Sequence, residues 1–345
     1  MLNKLFTFMG LSYEQIITLQ NLHGCGYATI TRIGAESNES VSLFNLRDFY
    51  EYIKDLVYQN RVTRFKVPSF SYFEEANKCA RILLTKTEEK GISVISKYDN
   101  DYPEMLKSTI DEKGKLCPPI LLYYKGDLSV TKKVGVAIIG TREPTKEGVY
   151  AGEFFGERLA EAGFNIVSGL AIGCDTAGHR GALNALEGKT TAFLAHGLDS
   201  VYPTENTGLA EEIVERGGLL MSEYTIGEFV NRYYLVERDR LQAALSAATI
   251  VIQTGIHGGT NHAANTTLIS GKPLFCVKYG SEELMHNERV EGNMVLVSKG
   301  ARFITSQDFM DQITSLIGGP NTVAMKQGQK TEEPKQLSLF PKEES

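Results

Sequence analysis

Three segments of this chain carry residues whose types and spacing suit the holding of phosphate. The first is Gly140-Thr141-Arg142, which directly follows the apolar run 135–139. Glycine leaves the backbone open, so that N–H groups can approach an anion, and the neighbouring arginine can add a bidentate, charge-assisted contact. The second is Ser168-Gly169-Leu170-Ala171-Ile172-Gly173-Cys174-Asp175, with His179, Arg180 and Gly181 just beyond it. Small residues make this backbone accessible, and Asp175 is placed to cap a following helix. The third is Gly255-Ile256-His257-Gly258-Gly259-Thr260, a second glycine-rich loop opening a helix. Further polar and aromatic groups come from His196-Gly197-Leu198-Asp199, Tyr202-Pro203, Glu205-Asn206 and Ser222-Glu223-Tyr224. Arg238-Asp239-Arg240 leads into a helix ending at Leu245-Ser246, and because its arginines are two apart, at most one can face a sheet.

Other chemistries are excluded by what these segments lack. Gly140-Thr141-Arg142 is not a G-x-G-x-x-G fingerprint, which argues against a dehydrogenase. No D-x-D or similar carboxylate set stands at the strand ends, so neither a metal nor another cofactor is expected, and no catalytic constellation is found. A helix-capping Asp175 and a packed His179 are the ordinary reading of that pair. The five cysteines (Cys25, Cys79, Cys117, Cys174, Cys276) are odd in number, scattered and never C-x-x-C, which fits reduced thiols. Formal net charge is −6 over 345 residues, so bulk positive charge cannot coat a duplex. Between Val134 and Val277 there are 10 Lys and Arg against 16 Asp and Glu. Any grip on a polyanion must therefore come from a few placed groups.

The elements that would position these segments form a doubly wound, mostly parallel α/β sheet. From Val134 onward, apolar strands alternate with amphipathic helices. Strands are expected at 135–139, 165–168, 191–195, 219–222, 249–253 and 274–277. Between Glu147 and Ala162, residues Ala151, Phe154, Phe155, Leu159 and Ala162 fall at helical spacing. In such folds ligands bind outside the carboxyl ends of the strands, where helix N-termini favour anions.

Upstream, residues 1–66 read as a small helical domain. Its segment Leu22–Ile33 has helix-hairpin-helix spacing, with glycines at 24 and 26; a plain helical turn fits as well. Short strands near 93–96 and 120–124 read as braces at the entry to the α/β domain, which is placed at 67–317. Residues 318–345 are rich in Gly, Pro, Lys, Glu and Gln, and are expected to be a disordered tail broken by one apolar cluster, Gln336-Leu337-Ser338-Leu339-Phe340. No apolar run approaches the ~20 residues that span a bilayer, and the N-terminus does not read as a cleavable signal, so no membrane partner and a cytoplasmic location are expected.

The segments DNDYPEML, YYKGDLS, VAIIGTRE, SGLAIGCDTAGHRGAL, GLDSVYPTEN, LMSEY, RDRLQAALS and GKPLFCV, in that order, resemble the bacterial DNA-processing protein A family (DprA, also called Smf). The resemblance implies an extended Rossmann-like domain. It implies binding of single-stranded DNA and loading of a RecA-type recombinase, notably in natural transformation. It further implies phosphate contact by Arg142, Ser168 and Gly169, with Arg238 and Arg240 nearby. A homodimer is the expected assembly.

Departures are visible too. The family's Arg-Asn-Arg element is Arg238-Asp239-Arg240 here, its Ser-Gly-Ser loop is replaced by HGGTNHAA with His257 and His262, and the winged-helix domain of many members is not expected. The tail's QLSLF is similar to the pentapeptide that docks on bacterial sliding clamps, where the glutamine bonds the pocket rim and Leu339 and Phe340 would fill it. A second reading is a nucleotide-ligand sensor or nucleoside-monophosphate phosphoribohydrolase, because Gly258-Gly259-Thr260 resembles the glycine-rich loop of those proteins. Against it, Asn261, His262, Ala263 and Ala264 stand where the catalytic glutamate would follow.

Overall fold

The computed structural model describes residues 10–38 and 40–320. Four helices come first: α1 (Tyr13–Gln20), α2 (Tyr27–Glu36), α3 (Leu46–Tyr58) and α4 (Phe70–Glu89). Their starts are written locally. Ser12 and Gln15 form a reciprocal capping box on α1, while Asn45 and Ser69 cap α3 and α4. The stripe Phe49, Ile53 and Leu56 on α3 is buried with Tyr50, and Phe49 and Tyr50 meet Phe73 of α4 with ring centroids 5.9 and 5.3 Å apart. The helical unit thus runs to residue 89 rather than 66. The stretch between α3 and α4 is tied into the core by Val62 and Phe65, which are 2% and 6% exposed. Leu22–Ile33 comprises the turn after α1, with Gly24 at φ +77°, and the first part of α2, whose N-cap is Gly26.

The remaining elements are β1 (Ser93–Ser96), β2 (Leu121–Gly126), β3 (Gly135–Ile139), α5 (Lys146–Glu161), β4 (Asn165–Ser168), α6 (Cys174–Asn184), β5 (Lys189–Leu194), α7 (Thr207–Glu215), β6 (Leu219–Ser222), α8 (Arg232–Leu245), β7 (Ser246–Val251), α9 (Thr260–Ile269), β8 (Leu274–Val277), α10 (Glu282–Met285), α11 (Glu291–Ser298), β9 (Arg302–Ile304) and α12 (Phe309–Ile317). The nine strands form one sheet in the order β1-β2-β6-β5-β4-β3-β7-β8-β9. All neighbours from β6 to β9 run parallel, and β2 and β1 extend the β6 edge antiparallel. The two pieces expected as braces are therefore strands of the same sheet, β1 at its edge and β2 between β1 and β6. β9 escaped sequence reading because three residues, the first an exposed arginine, make no apolar run. α8 begins at Arg232, capped by Asn231, so the Arg238-Asp239-Arg240 segment lies inside the helix and not before it.

Period-two alternation on β3 builds both faces. Val136 and Ile138 join α5 and α12 in one core, while Ala137 and Ile139 join α8, α9 and α11 in another. A third core runs from the helical unit onto α7 and the β5–β6 part of the sheet. Residues 321–345, and with them Gln336–Phe340, lie outside the described residues. No described helix is long and apolar enough to cross a membrane.

Candidate nucleic-acid interface

The chain lays down β3, β4, β5 and β6 in one direction, then crosses back to place β7 on the other side of β3. At such a switch point successive loops turn opposite ways, leaving a crevice outside the carboxyl ends of the strands. A cavity of about 760 Å³ lies there, within the size range of small-molecule sites. Its walls are the β3–α5 loop, the β7–α9 loop with the start of α9, and one face of α8.

Buried Gln253, after β7, pins the first wall. Thr141 N–H donates to its carbonyl (2.7 Å) and Thr145 N–H to its Oε1 (2.9 Å). A Cβ on Gly140 would come within 2.5 Å of Cys174 Sγ and 2.9 Å of Gln253 O. Glycine at 140 is thus required by packing, and the Thr141 amide is already engaged. Arg142 is exposed, lines the cleft and makes no ion pair among the described residues.

Two expected phosphate ligands are corrected at the β4 end. Ser168 is fully buried, and its Oγ donates to Ile138 O at 2.6 Å, stitching β4 to β3. The amides of Gly169 and Ala171 donate to Asp175 Oδ2 (3.1 and 3.4 Å). Asp175 thereby folds the loop back on α6, while the N-cap is Gly173. Gly169 instead gives room: a Cβ there would overlap the Arg238 guanidinium. His179 makes no pair with Asp175. It bonds Thr190 Oγ1 (2.7 Å) inside the core, and burial pushes its pKa down to about 3, so it is neutral.

The arginines of α8 part company. Arg238 is 4% exposed, donates to Phe193 O (2.8 Å) and ion-pairs Asp239 (3.3 Å) at the cleft floor. Arg240 is not in the cleft, which corrects the expectation of a phosphate contact there. Two residues on, its side chain leaves the opposite flank of the helix and binds Glu223 (2.6 Å) and Glu237 (3.4 Å).

Gly258, Gly259 and Thr260 all line the cleft, with His257 and His262. His262 Nδ1 lies 2.6 Å from Glu112. The α8 face adds Arg232, Leu235, Val236, Asp239 and Gln242. Arg232 and Gln242 were not singled out from the sequence, although 232, 235, 236, 239 and 242 share one helical face; with α8 begun too late that period was hidden. Arg142, Arg232 and Arg238 face Glu143, Asp175 and Asp239 in this cleft, so cations and carboxylates balance. Burial pushes the Asp239 carboxyl up to about 6 against the pull of Arg238. Beyond Arg238, a smaller cavity of about 60 Å³ is lined by His196, Tyr202, Pro203, Ile172 and Leu235. Ser222 does not reach it, because its buried Oγ donates to His196 O (2.7 Å).

The family model of DNA recombination-mediator protein A matches residues 93–315. The chain belongs to this family. Among relatives, it is 32% identical over 229 residues to protein Smf of Synechocystis sp., covering 65% of this chain and 54% of that one. It is 30% identical to DNA processing protein DprA of Bacillus subtilis, covering 67% and 74%. The chain thus spans about half the length of the Synechocystis relative. The X-ray structure of DprA from Streptococcus pneumoniae superposes with a TM-score of 0.69 at 27% identity over 88% of this chain and 99% of that one. DprA from Helicobacter pylori, solved to describe its single-stranded DNA binding mode, superposes with a TM-score of 0.54 at 29% identity over 65% and 96%. The site therefore sits on a DprA fold, with Asp239 among the residues that line the cleft.

Proposed function

We propose that the cleft grips the backbone of single-stranded DNA and that this DprA-family chain serves as a binding mediator of recombination or replication rather than as an enzyme. The observation that carries this reading is Arg142, an exposed arginine without an ion pair among the described residues, set on a loop bonded to Gln253 at the switch point beside the α9 N-terminus. The resemblance to a relative described as binding single-stranded DNA supports it. Backbone contacts of this kind are indifferent to sequence.

The finer reading adds partners: a RecA-type recombinase, a second copy of this chain, and a sliding clamp docked by Gln336–Phe340. A gel-shift comparison tests the central claim. The protein should retard oligo-dT more strongly than duplex of the same length, and Arg142→Ala should weaken that. If no single strand binds at micromolar protein in low salt, the reading fails.

A further inference from the structure

The floor of the cleft presents the wrong polarity for a phosphate. Gln242 lines it, is 2% exposed, and donates from Nε2 to Asp239 Oδ1 (3.1 Å). That bond fixes which way the amide points and leaves Gln242 Oε1 without a hydrogen-bond partner. Beside it, the Asp239 side chain is 17% exposed and accepts a hydrogen bond at Oδ1 from Gln242, with Arg238 Nε 3.3 Å from the same oxygen as an ion pair. Both groups are acceptors. An unfilled acceptor at a buried position costs about 1–3 kcal/mol, and a phosphate, itself all acceptors, cannot fill it. Arg238 is on the floor as well, but it is 4% exposed and turned to Phe193 O and Asp239, so the accessible donors of the site stand at the rim: Arg142, Arg232 and the glycine-rich start of α9.

Donors at the rim and acceptors on the floor suit a molecule that carries an anion at one end and hydrogen-bond donors at the other. A nucleotide is such a molecule. Carboxylates beside phosphate-binding loops in doubly wound sheets take ribose hydroxyls for the same reason. We propose that the cleft holds one nucleotide unit in a fixed pose, its phosphate at Arg142 and the α9 N-terminus and its sugar hydroxyls or base amine donating to Asp239, which Gln242 holds in place. This rests on the same phosphate rim as the backbone-binding reading; inside a DNA strand, which offers no free sugar hydroxyl, the base is the donor. It adds that the site discriminates among nucleotides by what their donors offer the floor.

The test titrates the full chain calorimetrically with inorganic phosphate, adenosine 5′-monophosphate, its 2′-deoxy analogue and inosine 5′-monophosphate, with oligo-dT in the same buffer. Adenosine monophosphate should bind at least tenfold more tightly than phosphate. Asp239→Leu should weaken the nucleotide about tenfold and strengthen phosphate, because it removes an acceptor and a negative charge together. Opposite signs are the signature, as a merely structural lesion weakens both. Gln242→Met, which keeps the Arg238–Asp239 pair, should weaken the nucleotide alone and serves if Asp239→Leu does not fold. A weaker deoxy analogue assigns the 2′-hydroxyl as donor and a weaker inosine analogue assigns the base amine; parity of all three assigns the shared 3′-hydroxyl. Nucleotides binding no better than phosphate, or variants shifting both ligands in one direction, overturn the inference. Retained oligo-dT binding in that event sinks this inference alone, whereas loss of both sinks the rim as well.

Discussion

Replacing Arg142 with alanine gives the sharpest check on how this acidic protein holds a polyanion. Among the described residues three arginines line the cleft, and Arg238 is 4% exposed. Each phosphate neutralised on a single strand contributes about 0.7 to the slope of log affinity against log salt, so three set a ceiling of about 2. Raising salt from about 50 to 200 mM should then weaken binding by no more than ~18-fold. Arg142→Ala should lower the slope to about 1.4, making the loss ~7-fold, and should weaken binding roughly tenfold at low salt through the lost charge-assisted bond. Fluorescence anisotropy with a labelled dT oligomer short enough for one protein measures both. A parent slope above about 4 would place the DNA on a surface with more cations than the cleft holds. An unchanged slope in the variant would remove Arg142 from the contact.

Asp239 makes stability depend on pH. Its folded pKa of about 6 lies above the ordinary 3.8, so its contribution is fully present below the unfolded value and is lost as pH rises through about 6. Chemical denaturation should show stability falling by at most about 3 kcal/mol between pH 4 and 7 from this group, and Asp239→Asn should remove that component. Arg240→Met should leave affinity for single-stranded DNA within about twofold but lower stability by roughly 3 kcal/mol, because Glu223 keeps its charge in a largely buried place with no partner. Unchanged melting with weakened DNA binding would return Arg240 to the interface. Deleting Gln336–Phe340 should abolish calorimetric binding to a sliding clamp while leaving oligo-dT binding intact; unchanged clamp affinity would refute the motif.

Strands β3, β4, β6 and β8 were legible to the residue, because each is a short apolar run bounded by glycine, proline or polar turns. The phosphate loops were legible as places, since glycine-rich segments after strands have few other uses. Their atoms were not. Ser168 looks like a ligand in the sequence, but its hydroxyl is spent on Ile138 across the sheet, and the Gly169 amide is spent on Asp175. Nothing local announces those partners, which lie 30 and 6 residues away.

Composition and periodicity alone determined a doubly wound sheet, the carboxyl edge as the working edge, and the need for few, placed cations in a chain of net charge −6. These are local or additive properties: side-chain alternation, backbone freedom and the charge sum. The tertiary structure decided which arginine of Arg238-Asp239-Arg240 reaches the cleft, that α4 belongs with the helical unit, and that Asp239 and Gln242 form an acceptor floor. Such outcomes depend on where α8 begins and on which distant carbonyl or carboxylate arrives opposite each donor. Desolvation then fixes the result, since a buried polar group is settled by its partner rather than by its type.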